Sequence, residues 1–303
     1  MRSRDAVDLL LLGALWGASF LFIRVAVPHF GPLALIELRV AIAALALLPL
    51  VAWRGGLGAL ASRAWPVCVV GLVNSAIPFV LLAYATLTFT AGAMSILNST
   101  APLFGAIVAH VWLKERLTPA RIGGLALGLA GVAVLAGDRV AATGPRVALA
   151  LVAALGAGLF YGIGASYAKK RLAGVSPLAV AGGSQAAAAV ALLPFALAAW
   201  PAAPVPLRAW GAVVLLAVAS TAVAYVLYFR LIASVGPTRA IAVTFLIPAF
   251  GVFWGRVVLG EPVTPQMISG AALVLGGTAL SIGLAPRLGA PAAGALPLAL
   301  PRR

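Results

Sequence analysis

The chain has 303 residues, of which 63% are hydrophobic and 9% charged, and its mean hydropathy is +1.13. That is too little polar surface to coat a water-soluble globule of this length, so the chain belongs in a bilayer. A net charge of +15 would point to nucleic acid if the basic side chains clustered on one soluble face, and they do not.

A transmembrane helix needs about 20 predominantly apolar residues to cross roughly 30 Å of hydrocarbon. Runs of that length, bounded by charge or by Pro and Gly clusters, fall at 6–27, 32–53, 65–86, 90–113, 118–137, 146–168, 176–199, 208–232, 237–259 and 264–284. They predict an all-α integral membrane protein with ten transmembrane helices, since β-barrel spans would be segments of about ten residues with alternating polarity. Arg2 and Arg4 precede a run that is long enough to span and lacks a convincing small-residue cleavage site, so it reads as helix one rather than a signal peptide. The single Cys68 excludes an internal disulfide and a cysteine-based metal cluster, and neither metal nor cofactor is expected. Residues 285–303, rich in Pro, Ala and Gly, read as a disordered tail.

The basic residues set an orientation. With the N-terminus in the cytoplasm, fifteen Lys and Arg fall at inner ends or loops and five (Arg24, Arg139, Arg146, Arg208 and Arg256) fall outside, with Arg39 inside helix two. A cytoplasmic excess of Lys and Arg determines topology, so both termini are expected in the cytoplasm.

The stretch "LKERLTPARIGG" at 113–124 returns as "LGEPVTPQMISG" at 259–270. A shift of 146 aligns residues 99–135 with 245–281 without a gap and matches Pro102 with Pro248, Gly105 with Gly251, Glu115 with Glu261, Gly124 with Gly270 and Gly131 with Gly277. At a shift of 145, Pro32 and Pro49 fall on Pro177 and Pro194. Residues 1–140 and 141–284 therefore read as two repeats of five helices. Five is odd, so equivalent helices would cross in opposite directions, an inverted repeat of the kind many secondary transporters use.

The chain resembles the EamA-type transporters of the drug/metabolite transporter superfamily over its first 284 residues. The resemblance rests on Trp16-Gly17 in "LLGALWGASFLFIR", the Pro32-to-Arg39 spacing in "GPLALIELRVAIA", and the similar ends of the two halves. The second half departs from it, with Phe160-Tyr161 in place of Trp-Gly and Ser184 in place of Arg39. The resemblance implies an exporter of small metabolites in the bacterial inner membrane, with amino acids the foremost candidates and cationic drugs an alternative.

A solute pathway needs polar groups facing a cavity at midplane depth, because polar atoms facing lipid would go unsatisfied. The candidates near the helix midpoints are Trp16 and Ser19, Asn74 and Ser75, Asn98 and Ser99, Tyr161, Ser220, Thr221 and Tyr225, and Thr244. Several are repeat partners: Asn74 with Ser220, Ser75 with Thr221, and Asn98 with Thr244. Small polar residues also glue helices together or bond back to their own helix, so each has a packing alternative. Pro78, Pro102 and Pro248 are expected to bend their helices. The midplane has no fixed charge on this reading, which favours neutral, zwitterionic or amphipathic solutes.

Glu37 is the one carboxylate inside an apolar run, and it is expected to pair with Arg24 or Arg39 or to couple transport to protons. An intramembrane hydrolase would need a base beside Ser19, Ser75 or Ser184. His29 and His110 lie at opposite membrane edges, and no G-x-S-x-G, H-E-x-x-H or P-loop pattern is present. A channel-like facilitator is the nearer alternative. The expected partners are a small solute and the lipid bilayer, without nucleic acid, and the sequence is compatible with a monomer.

Overall fold

A computed structural model of the chain describes residues 3–143 and 145–283, and every regular element among them is helical. In hydrocarbon each backbone N–H and C=O must find a partner within the protein, which a helix provides inside one segment. The apolar runs become α1 (Ser3–Trp53), α2 (Ala64–Thr86), α3 (Ala91–Leu113), α4 (Pro119–Thr143), α5 (Pro145–Arg171), α6 (Pro177–Ala198), α7 (Leu207–Val235), α8 (Val243–Leu259) and α9 (Pro265–Ser281). Helices α1 to α7 are long and apolar enough to cross a bilayer, and α8 is a shorter apolar helix. Leu45, Val190 and Leu207 are exposed on the outside of the bundle, where a bilayer would cover them, and Trp53 and Trp65 lie exposed near helix ends, as in an interfacial aromatic belt. The expected tail, 285–303, lies outside the described residues.

α1 is more than twice the length of one span. Gly31, at φ 70° and ψ 167°, breaks it into two arms in a conformation that a side chain would oppose, and Pro28 and Pro32 flank the break. Two runs expected to be continuous are not. α3 is interrupted at Ser99 and Thr100, immediately before the segment that carries Pro102 in its first turn. The run at 237–259 divides into Pro237–Ala240 and α8, so its interruption falls at Ile241 and Ala242 rather than at Pro248.

Midway along α2 and α7 lie π-helical segments, Leu72–Ala76 and Val218–Val223, which start 146 residues apart. In α2 the cause is visible: Pro78 has no N–H to give the Asn74 carbonyl, and the Ile77 N–H reaches back five residues to Leu72. α7 makes the same widening with Ala224 in the place of Pro78.

The repeated turn is built alike in both copies. Lys114 (φ 61°) and Gly260 (φ 67°) are left-handed, and the next residue donates back six positions, Glu115 to Ala109 at 3.2 Å and Glu261 to Gly255 at 3.1 Å. Thr118 and Thr264 then cap the following helices, accepting from the N–H groups of Arg121 and Met267.

Glycines bring helices into backbone contact. α4 and α9 run antiparallel, and a methyl group on Gly124 would lie 2.5 Å from the Gly277 carbonyl oxygen, while one on Gly131 would lie 2.8 Å from that of Gly270. The first arm of α1 crosses α8, where a methyl group on Gly17 would lie 2.9 Å from the Gly251 nitrogen, and α5 crosses α3, where one on Gly162 would lie 3.0 Å from the Gly105 nitrogen. Small residues at such crossings let dispersion and backbone contacts replace the missing hydrophobic drive between helices in lipid.

Candidate solute cavity

These crossings leave a cavity of about 580 Å³ between the helices, a size typical of small-molecule sites, roughly 300–1,000 Å³. Trp16 and Ser19 of the first arm, Asn74 of α2, Asn98, Ser99 and Pro102 of α3, Tyr161 of α5, Ser220, Thr221 and Tyr225 of α7, and Thr244 of α8 all reach its wall. Ser75 does not. It is fully buried within the π-segment and accepts a hydrogen bond from Gln185 Nε2 at 2.9 Å. Pro78 and Pro248 also lie away from the wall; Pro78 shapes the π-segment of α2, whereas α8 runs through Pro248 without interruption.

The polar side chains of the wall differ in how they are satisfied. Most hydroxyls bond to nearby backbone: Ser220 to the Leu15 carbonyl at 2.6 Å, Thr221 to Leu216 at 2.8 Å, Thr244 to Ile241 at 2.7 Å and Ser99 to Ser95 at 3.0 Å. The two carboxamides differ from them. Asn74 and Asn98 make no hydrogen bond among the described residues, and Asn98 Oδ1 is buried. Aromatic rings close the sides, with Trp16 and Tyr228 at 5.1 Å and Tyr225 stacked on Phe229 at 5.9 Å. Tyr228 lies one turn beyond Tyr225, a spacing that marks one helix face.

The absence of midplane charge expected from the sequence is overturned. Arg39, 6% exposed, lies in the cavity wall. Its Nε donates to Thr221 Oγ1 at 3.1 Å, and its guanidinium carbon sits 3.7 Å from the centroid of the Phe79 ring. Thr221 is the middle residue of α7, so the charge is held at mid-helix depth.

The expected ion pair between Arg24 and Glu37 is also overturned. Arg24 donates to the carbonyls of Thr86 and Leu87 at 2.6 and 3.2 Å and lies 3.9 Å from Glu261. Glu37, 7% exposed, has no ion-pair partner among the described residues, and its Oε2 is buried without a hydrogen bond. The sequence put Arg24 and Glu37 at one depth, but depth alone does not say which way the side chains point around each helix.

Two acidic groups, 146 residues apart, guard opposite ends. Glu261 accepts from the N–H groups of Ala91 and Gly92 at 3.0 and 3.4 Å, which with Arg24 ties α3 to the α8–α9 turn away from the cavity wall. Glu115 and Lys169 line the cavity at its other end and pair at 2.9 Å, both partly open to solvent. The hydrogen bond and charge of Lys169, with Arg121 at 3.7 Å, hold the Glu115 carboxyl below the usual carboxylate range. The repeated Glu was visible in the sequence. Its basic partners, Arg24 and Lys169, stand 145 apart, a signal that was present and unread.

The packing also shifts one comparison between the halves. Gly17 and Gly162 play the same part at their crossings, so Tyr161-Gly162, not Phe160-Tyr161, answers to Trp16-Gly17.

An apolar helical bundle around a cavity that is open at one end and carries polar groups in a largely apolar wall defines the class of membrane transporters. The chain belongs to the EamA-like transporter family, whose pattern it matches over residues 6–137 and again over 148–283. It is 30% identical over 284 residues to a protein of Streptantibioticus cattleyicolor named "Probable terminal-alkyne amino-acid exporter", covering 92% of this chain and 93% of that one. It is 25% identical over 272 residues to a transporter of Archaeoglobus fulgidus, covering 89% and 95%, and 25% identical over 283 residues to the transporter YvbV of Bacillus subtilis, covering 90% of each. A solved crystal structure superposes with a TM-score of 0.66 over 95% of this chain and all of the other, at 24% identity, a likeness of fold alone. The chain is thus a transporter and not an enzyme, and a multi-pass protein of the bacterial inner membrane.

Proposed function

We propose that the chain exports small metabolites, amino acids foremost, by alternating access around the central cavity. The observation that carries this reading is an aromatic-walled cavity of metabolite size whose wall presents two carboxamides without a hydrogen-bond partner among the described residues, Asn98 with its Oδ1 buried and Asn74 half-buried. Buried polar groups without partners are costly unless a ligand or water completes them. The amino-acid exporter among the relatives supports the same substrate class.

The architecture we infer is two inverted repeats of five helices. The two arms of α1, the helices α2 to α7, the broken run ending in α8, and α9 make ten crossings. The glycine contacts support the inversion: the contact of Gly124 with Gly277 becomes that of Gly270 with Gly131 when the halves are exchanged, and Gly17 on Gly251 becomes Gly162 on Gly105. Only a twofold axis lying in the membrane plane relates antiparallel partners in this way. The Lys and Arg excess then puts both termini and the Glu115–Lys169 mouth in the cytoplasm, so this conformation is inward-open.

Counterflow in proteoliposomes tests the reading. A carrier exchanges labelled for unlabelled solute without net flux, and Asn74→Ala and Ser220→Ala should weaken that exchange without loss of membrane expression. Wild-type exchange in both variants removes the cavity assignment, and flux without counterflow favours a channel.

A further inference from the structure

A guanidinium at mid-membrane depth is costly unless an anion or trapped water meets it. Arg39 satisfies one donor on Thr221 and faces the Phe79 ring, and its Nη1 and Nη2 donate to no described residue. No described carboxylate lies within ion-pair distance of it. Glu37, two positions earlier on the same helix, points to a different face. The fork is therefore held rigidly by Thr221 and Phe79, open towards the cavity, and without a counter-charge.

We propose that Arg39 is the carboxylate anchor of the transport cavity, so that the exported solute carries a carboxylate, with the Asn74 and Asn98 carboxamides left to accept from its ammonium group. The inference rests on the transporter reading above and narrows its substrate class. A planar guanidinium with two parallel N–H donors fits a carboxylate in bidentate fashion, and fixed placement removes the ordering cost of binding. The same charge repels cations, which disfavours export of cationic drugs through this cavity. Arg39 leaves a positive charge in the cavity wall that no described carboxylate balances.

The test uses full-length protein in proteoliposomes and a counterflow panel of L-leucine, L-phenylalanine, phenylalanine amide, phenethylamine, benzoate and inorganic phosphate. Arg39→Gln keeps an N–H donor at the same point of the side chain, since Gln Nε2 replaces Arg Nε, so the bond to Thr221 can survive and the melting temperature should stay near that of the wild type. The expected result is exchange of the free amino acids by the wild type, little with the amide or amine, and a loss of about ten- to hundredfold in apparent affinity in Arg39→Gln. Arg39→Lys should recover part of the loss, because charge returns without the fork. Benzoate should compete with the amino acids, and phosphate, which the fork could hold but whose remaining oxygens would be desolvated against the apolar wall, should not. Equal exchange of the amide or amine, unchanged amino-acid exchange in Arg39→Gln, or competition by phosphate in place of benzoate overturns the anchor while leaving the transporter standing. If the wild type exchanges no member of the panel, amino-acid export falls and this assignment falls with it.

Discussion

Gln185 donates to Ser75 at 2.9 Å, and Arg39, 146 positions before Gln185, donates to Thr221, 146 positions after Ser75, at 3.1 Å. Each bond joins a helix of one half to a π-helical segment of the other. By the proline register Arg39 should answer to Ser184, but the matching bond is made by the next residue. One of these bonds faces the cavity and the other is sealed off, so the two halves use one scheme for different ends. Gln185→Ala removes a buried hydrogen bond and should cost about 0.5–1.5 kcal/mol plus the loss of packing. A lower melting temperature with unchanged solute selectivity is the expected outcome, and altered selectivity would mean that the sealed pair also senses the cavity.

The contact of Gly124 with Gly277 gives a comparison with its own control. A methyl group at Gly124 would meet backbone at 2.5 Å, whereas Gly123 has open space around it. Gly124→Ala should destabilise by about 1–3 kcal/mol, while Gly123→Ala should be neutral or slightly stabilising through helix propensity. Thermal unfolding of the two variants in one detergent checks the difference, and equal melting temperatures would place the helix crossing elsewhere.

Glu115 offers a pH dependence with a definite sign. Lys169 lowers its folded-state affinity for protons, so the pair contributes at neutral pH and is lost as pH falls below the ordinary carboxylate range. Lys169→Met should flatten that part of the stability profile by lowering stability at neutral pH while leaving the acid end nearly unchanged. Melting curves between pH 3 and 8, values chosen to bracket the carboxylate range at about 4.3, read it directly.

Glu37 has lost its expected salt bridge, which removes the structural explanation the sequence offered for it. If it couples transport to protons, Glu37→Gln will abolish the response to an imposed pH gradient and leave counterflow, which needs no driving force, intact. A gradient response that survives in the variant assigns Glu37 to packing.

Much of this was legible in the primary structure. Helix positions followed from apolar runs because lipid makes the helix nearly compulsory, and most of the cavity wall followed from asking which polar residues sit at mid-span. What failed was rotation about the helix axis. Ser75 follows Asn74 by about 100°, yet only Asn74 reaches the cavity, and a π-segment alters that angle in a way no periodicity count reveals. Arg39 shows the same gap together with an error of depth, since the sequence keeps the midplane free of charge and the structure holds this guanidinium on Thr221 at mid-helix depth. The repeat itself held the correction: matching polar residues across both shifts would have shown Gln185 beside Ser184, and Lys169 opposite Arg24.

Glu261 closes its end of the protein on two N–H groups, those of Ala91 and Gly92. Exchange of the halves carries these to positions 237 and 238, and Pro237 has no N–H to offer Glu115. The latch at the Glu115 end can therefore engage one donor fewer than the latch at the Glu261 end. A charge-assisted bond of about 1.5–3 kcal/mol biases a two-state equilibrium by roughly ten- to hundredfold. The empty protein should accordingly wait open at its Glu115 end, which on the orientation proposed above faces the cytoplasm, the side from which an exporter would collect its cargo. Pro237→Ala supplies the missing donor and should raise the share of outward-open molecules, measured by labelling of Ser19→Cys in a Cys68→Ser background with an impermeant maleimide added from outside. One imino acid would then give direction to a machine whose two halves are otherwise built to run either way.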